Sequence, residues 1–166
     1  MEYLDIYDDQ GIKTGRKIIR GDKSVQLSKN EHIAISVIFI ENEKNEFLIQ
    51  KTSKEKGGEY SSTGGHVDSG ETPLEAILRE VKEELGITLT KEEIKEYGYL
   101  LFDMPLRYLF YCKKNISIKE ITIQEEEVES IEYMTVSQIE KLIKENKMLK
   151  SHAILFQELL KKQKKM

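Results

Sequence analysis

A chain of 166 residues suits one domain large enough to bury a proper core. Its formal charge of −4, from 26 basic and 30 acidic residues, excludes a general attraction for polymeric nucleic acid. The single cysteine, Cys112, excludes an intrachain disulfide and fits a reducing compartment. The acidic start, Met1-Glu2-Tyr3-Leu4-Asp5, does not fit a signal peptide, and no apolar run approaches the ~18 residues of a membrane span; the expected location is cytoplasmic. Residues 3–7 (YLDIY) alternate like a short strand, Asp8-Asp9-Gln10-Gly11 is a turn, and residues 16–20 read as the return strand. On residue grounds this N-terminal hairpin, about residues 1–22, is a charged surface element without chemistry.

Residues 32–40 (HIAISVIFI) are too apolar for a half-exposed strand, and their β-branched content predicts a central strand of a covered sheet, with His32 in a structural role. Residues 46–51 (EFLIQK) pair back as the next strand. The loop 51–60 (KTSKEKGGEY) is rich in glycine and lysine, so Lys51, Lys54 and Lys56 are candidate phosphate contacts. It leads into residues 64–88, around which the chain is organised. Thr72-Pro73 with Glu75 reads as a capping box with proline at the first helical position. Leu74, Ile77, Leu78, Val81 and Leu85 recur at steps of three and four, and Gly86 closes the helix. Glu80, Glu83 and Glu84 then share an arc of roughly 100° beside the apolar stripe. Three carboxylates so placed repel one another, and a hard divalent cation relieves that repulsion through oxygen ligands. Gly64 and Gly65 let backbone approach a ligand closely.

Beyond this helix, residues 96–102 and 107–112 alternate as two strands around Asp103-Met104-Pro105. Arg107 is expected at the surface, and Cys112 as a small core residue. Residues 124–129 (QEEEVE) form an acidic run that reads as a solvated loop. Thr135 with Gln138 is a second capping box, and Ser151 is expected to cap a last helix that buries Ile154, Leu155, Leu159 and Leu160. The basic end 161–166 is too short to argue nucleic-acid binding and suits a helix C-terminus. No repeat, linker or second domain is evident.

The succession Gly65, five residues, Glu71, seven residues, Arg79-Glu80-Val81, one residue, Glu83-Glu84, one residue, Gly86-Ile87 resembles the complete Nudix box. Strands interrupted by a motif helix and followed by strands and helices predict an α/β fold. The resemblance sharpens this to a Nudix α/β/α sandwich with a mixed β-sheet, one domain over residues 1–166 with the box at 65–87. It further implies a metal site of Glu80, Glu83, Glu84 and the Gly65 carbonyl, and an Arg79 held by Glu71 so that the loop is oriented. It implies a proton acceptor drawn from Glu83, Glu80 or a glutamate of the 124–129 loop, Glu126 or Glu127. The hairpin pattern DIYDDQGIKTGRK and the GGH segment containing His66 are similar to the isopentenyl-diphosphate-isomerase branch. There the hairpin often covers the substrate cleft or a subunit partner, which leaves a homodimer open and His66 a candidate substrate contact.

The expected function is metal-dependent hydrolysis, with Mg²⁺ or Mn²⁺, of the diphosphate linkage in a nucleoside diphosphate derivative or related small molecule. Two alternatives stand beside it. Isomerase-like activity would need the cysteine that such enzymes carry upstream of the box, where this chain has Ser61, Ser62 and Thr63. A non-catalytic nucleotide-sensing module would be expected to have lost box glutamates, and none is lost.

Overall fold

The computed structural model describes residues 2–164; Met1 and the last two residues of the basic end lie outside it. Strands β1 (Tyr3–Tyr7) and β2 (Lys13–Ile19) form a separate antiparallel hairpin. Strands β3 (Ala34–Glu41), β4 (Glu46–Thr52), β5 (Tyr60–Ser61), β6 (Thr63–His66), β7 (Lys95–Leu101), β8 (Leu106–Lys113) and β9 (Val128–Thr135) form one mixed sheet. Strand β3 is its centre, parallel to β8 on one side and antiparallel to β6 on the other. Strand β4 meets β3 only at their shared turn, Glu41 opposite Phe47, and pairs along its length with β9.

Alternation along β3 sorts the core into two layers. Ile38 and Ile40, with Leu48, Phe110 and Cys112, pack under Ile77, Val81 and Leu85 of helix α1 (Pro73–Leu85). On the other face, Val37 and Phe39 pack against Ile139 of α2 (Val136–Lys144) and against Leu155, Phe156 and Leu159 of α3 (Lys150–Lys164). Phe156 closes an aromatic trio there, with ring centroids 5.3 Å from Phe39 and 5.1 Å from Phe47. This is the expected α/β/α arrangement. Among the described residues no helix is long and apolar enough to cross a membrane.

Helix α1 begins and ends where its sequence says. Thr72 accepts from the Glu75 N–H, the Glu75 carboxylate accepts from the Thr72 N–H, and Gly86 adopts φ 69°. Thr72→Ala should therefore cost about 1 kcal/mol, the usual worth of an N-cap, read as a urea midpoint shifted at constant slope.

Several local expectations are corrected. His32 does not head β3: it exchanges backbone hydrogen bonds with Tyr7, and its buried ring bridges the Met104 carbonyl at 2.9 Å and Asp9 at 2.6 Å, fastening the hairpin to the sheet. The last helix starts at Lys150, so Ser151 lies inside its first turn rather than before it. The acidic run is only partly loop, because β4 recruits its end as a strand, pairing Thr52 with Val128 and Lys51 with Ser130. The segment 60–66, to which the sequence assigned no element, is mostly β5 and β6.

Candidate active site

Strand β6 and helix α1 lie side by side, and a cavity of about 290 Å³ opens between them. Six carboxyl groups line it, from Glu2, Asp68, Glu80, Glu83, Glu84 and Glu127, against two guanidinium groups, from Arg20 and Arg79. Gly64, Gly65 and His66 form its floor along β6.

The three glutamates of α1 are graded in burial. Glu83 is half exposed, the Glu80 side chain is 15% exposed, and Glu84 is buried. Glu84 Oε1 accepts from Gln50 Nε2 at 2.9 Å, and Gln50 is itself fixed by the Thr63 hydroxyl. Glu84 Oε2 is buried without a hydrogen-bond partner. Burial, with the neighbouring Glu80 carboxyl adding to it, raises the Glu84 carboxyl to about 9, so Glu84 holds its proton at neutral pH. Burial also raises Glu80, against the pull of Glu84 and Arg79.

Glycine is required on the floor for two different reasons. A Cβ on Gly65 would stand 2.4 Å from Glu80 Oε1, so the carboxylate rests directly on the strand. A Cβ on Gly64 would stand 2.4 Å from the Ser36 carbonyl oxygen, which is backbone and cannot yield. Gly65→Ala should therefore fold with stability within about 1 kcal/mol of the parent while losing roughly ten- to fifty-fold in turnover, because a displaced carboxylate misplaces what it holds. Gly64→Ala should lose stability instead; melting curves and steady-state rates of the pair separate the two effects.

Arg79 is the hub of the site. Its Nε and Nη2 donate to both oxygens of Glu71 at 2.7 and 2.9 Å, Nη2 also to the His66 carbonyl at 3.1 Å, and Nη1 to Glu80 at 2.9 Å and Glu83 at 3.3 Å. Asp68 lies 3.3 Å from Nη2. The Glu71 pairing matches the expectation, but the reach to Glu80 and Glu83 exceeds it: Arg79 neutralises the carboxylates as well as orienting the loop. Among the described residues no three acidic, imidazole or thiol side chains are already converged as a ligand shell.

The all-oxygen donor set fits a hard divalent cation. Glu84 Oε2 is buried without a hydrogen-bond partner, so the bare site keeps the uncharged acid, and a cation bound there would take the place of that proton.

Other expected residues are placed as follows. Glu127 lines the cavity from the opposite wall, carried there by a segment anchored to the end of α1 through Thr122 N–H to Leu85 O and Gln124 N–H to Glu84 O. Glu126 does not line it. His66 lines it, and burial, with the positive field of Arg20, lowers its ring to about 4, so the imidazole is neutral. Lys51, Lys54 and Lys56 do not line it. Lys56 lies 3.5 Å from Glu127, a cavity-lining residue, and Lys51 lies 3.5 Å from Glu129.

The reading of the N-terminal hairpin as mere surface is also corrected, because Glu2 and Arg20 reach the cavity. Asp5, buried, accepts from the Ser69 hydroxyl at 2.8 Å and the Gly70 N–H at 2.9 Å. Lys13 lies 2.9 Å from the same carboxylate and donates to the Glu71 carbonyl at 2.8 Å. The one sequence signal for this was the hairpin pattern itself; Gln50 and Gln124 carried none.

A profile of the NUDIX domain matches residues 30–158 of this chain. A Nudix hydrolase of Listeria innocua serovar 6a is 32% identical over 146 residues, covering 86% of this chain and 85% of that protein. The 8-oxo-dGTP diphosphatase of Escherichia coli K12 is 32% identical over 79 residues, 46% of this chain and 60% of that enzyme. Among solved structures, DR0079 from Deinococcus radiodurans matches with a TM-score of 0.78 over 95% of this chain and 98% of its own, at 18% identity, a likeness of fold.

Proposed function

This chain belongs to the NUDIX family of hydrolases, and from that premise we propose that it cleaves the diphosphate linkage of a nucleoside diphosphate derivative or a related small molecule with the help of a divalent cation. The observation that carries the proposal is the Glu84 carboxyl, buried beside Glu80 with one oxygen unpartnered at the floor of the cavity.

Glu80, Glu84, Glu83 and the Gly65 carbonyl are the groups that would hold Mg²⁺ or Mn²⁺. When bound, such a cation neutralises charge developing on phosphoryl oxygens and acidifies water. The protein's own groups divide the remaining work. Gln50 and the Gly65 backbone fix Glu84 and Glu80, while Glu71 fixes Arg79 and through it the loop before α1. Hydrolysis forms a P–O bond from the attacking water, breaks the bridging P–O bond so that the second phosphoryl group leaves as its anion, and moves a proton from the water to an acceptor. Glu83, Glu127 and Glu80, which line the cavity, are the carboxylates we assign as candidate acceptors.

The isomerase-like branch finds no support. The relatives named above are hydrolases, and Cys112 is buried in the core under α1, its thiol raised to about 11 by burial, so it cannot serve the cavity as a proton donor. The names of the relatives support including oxidised purine nucleotides among the candidate substrates. The test is a phosphate-release assay, coupled to inorganic pyrophosphatase for triphosphates and to alkaline phosphatase for the monophosphate products of nucleotide sugars and dinucleotides, over nucleoside triphosphates, 8-oxo-dGTP, nucleotide sugars and dinucleotides, with Mg²⁺, Mn²⁺ or EDTA. Turnover of at least one diphosphate compound, abolished by EDTA, is expected; no turnover of any with either metal refutes the proposal.

A further inference from the structure

The cavity is far too acidic to receive a diphosphate on its own terms. Of its two cations, Arg79 is committed to Asp68, Glu71, Glu80 and Glu83. Only Arg20 remains, and it comes from outside the box, at the end of the hairpin. Resting on the hydrolase reading above, we propose that Arg20 is the cation that binds the substrate's phosphates, and that Glu2 is the resting counter-ion they displace.

Three observations carry this. The first is placement. Arg20 N–H donates to Glu2 O at 2.9 Å, extending the β1–β2 ladder one pair beyond Tyr3 and Ile19. The two side chains therefore leave the hairpin on one face, and both line the cavity.

The second is rigidity. Strand β1 is stitched to the loop before α1 by Ser69 N–H to Tyr3 O at 2.8 Å, by the Leu4–Asp68 bridge and by the Asp5 contacts with Ser69 and Gly70. Lys13 adds a further tie to Glu71. The Arg20 backbone is thus tied through β1 to the loop before α1, beside the cavity that Arg20 lines with Glu80 and Glu84.

The third is the strength of its present partner. The Arg20–Glu2 pair spans 3.0 Å with side chains 48% and 60% exposed, an arrangement in which ion pairs hold weakly. A diphosphate brings more charge and a matching two-oxygen edge for the guanidinium, so it wins the exchange. Its other end then lies towards the Glu80–Glu84 cluster.

The test uses the full chain and two readouts. Binding of methylenediphosphonate in Mg²⁺ is measured by calorimetry, and kcat and KM for whichever panel compound turns over fastest. Arg20→Ala should raise Kd and KM by roughly ten- to fifty-fold, the worth of a charged hydrogen-bonded contact, with kcat within about three-fold. Its log Kd should also rise less steeply with salt. Arg20→Lys should lie between, and Glu2→Gln should tighten binding by about three-fold by removing the competitor. Mn²⁺ affinity should be the same in all variants. Binding by Arg20→Ala within two-fold of the parent overturns the proposal, as does a parallel loss of Mn²⁺ affinity, which would make Arg20 a support of the metal site. If the parent turns nothing over yet Arg20→Ala still weakens methylenediphosphonate, the hydrolase reading fails and the phosphate site stands.

Discussion

Glu84→Gln should all but abolish turnover and, in EDTA, make the protein more stable. The two effects have one cause. Glu84 is buried beside another carboxyl, and the fold pushes it up to about 9, so at neutral pH it is held as the uncharged acid. An amide of the same shape keeps the contact with Gln50 and can never be forced to ionise. The sign follows from linkage: the folded value lies above the unfolded one, near 4.5. The stability that the proton confers is complete below about 4.5 and is lost as pH rises through about 9. The parent should therefore weaken across that window and the variant should not. In EDTA the two should melt together near pH 5, and the variant should melt at least ~3 °C higher near pH 8.5. With Mg²⁺ the order of merit reverses. Losing a charged oxygen at the cation should cost about 10²- to 10³-fold in kcat, the several kcal/mol such charge stabilisation supplies. A variant that is slower but equally pH-sensitive in EDTA would show that Glu84 is not the buried acid described here.

Arg79→Ala should be the most destabilising single change at the site. The side chain is only 28% exposed and its five donors serve Glu71, Glu80, Glu83 and the His66 carbonyl. Removing it strands a group of carboxylates around one another. Fully buried pairs broken this way cost about 3–5 kcal/mol; partial exposure reduces that to roughly 2–4 kcal/mol here, a fall of some 5–12 °C in melting temperature. Lysine should restore less than half, because a single ammonium cannot fork across both oxygens of Glu71. A double-mutant cycle with Glu71→Gln should show coupling of about 1–3 kcal/mol. An Arg79→Ala variant melting within 1 °C of the parent would mean that the hydrogen bonds around the guanidinium contribute nothing to the fold.

How much of this was readable in the chain depended on sequence distance. Helix α1 was legible to the residue because its signals are local: the Thr72–Glu75 box, Pro73 and Gly86 all lie within one turn of the ends they define. The central strand was legible from its apolar run, and the sandwich around it followed from the resemblance of the box. What the chain hid was contact between distant segments. Gln50 meets Glu84 from 34 residues away, and nothing near either residue announces it. Arg20 and Glu2 reach the cavity only because Asp5 and Lys13 tie the hairpin to residues 69–71. The partners of the lysines were likewise remote in sequence: β4–β9 pairing brings Glu129 and Glu127 to Lys51 and Lys56. Short strands such as β5 and β6 carry too few residues for periodicity to show, and their partners are again remote.

The claim on which everything else stands is that Glu80 and Glu84 jointly hold a divalent cation at the floor of the cavity. Titrating Mn²⁺ into the parent, Glu80→Gln and Glu84→Gln, with Glu2→Gln as the control, tests it without needing a substrate. The parent and the control should bind alike, and each of the two box variants should lose at least about ten-fold in affinity, as removal of a charged ligand demands. Equal Mn²⁺ binding by all four proteins would place the cation, if one is bound, somewhere other than this pair and contradict the account.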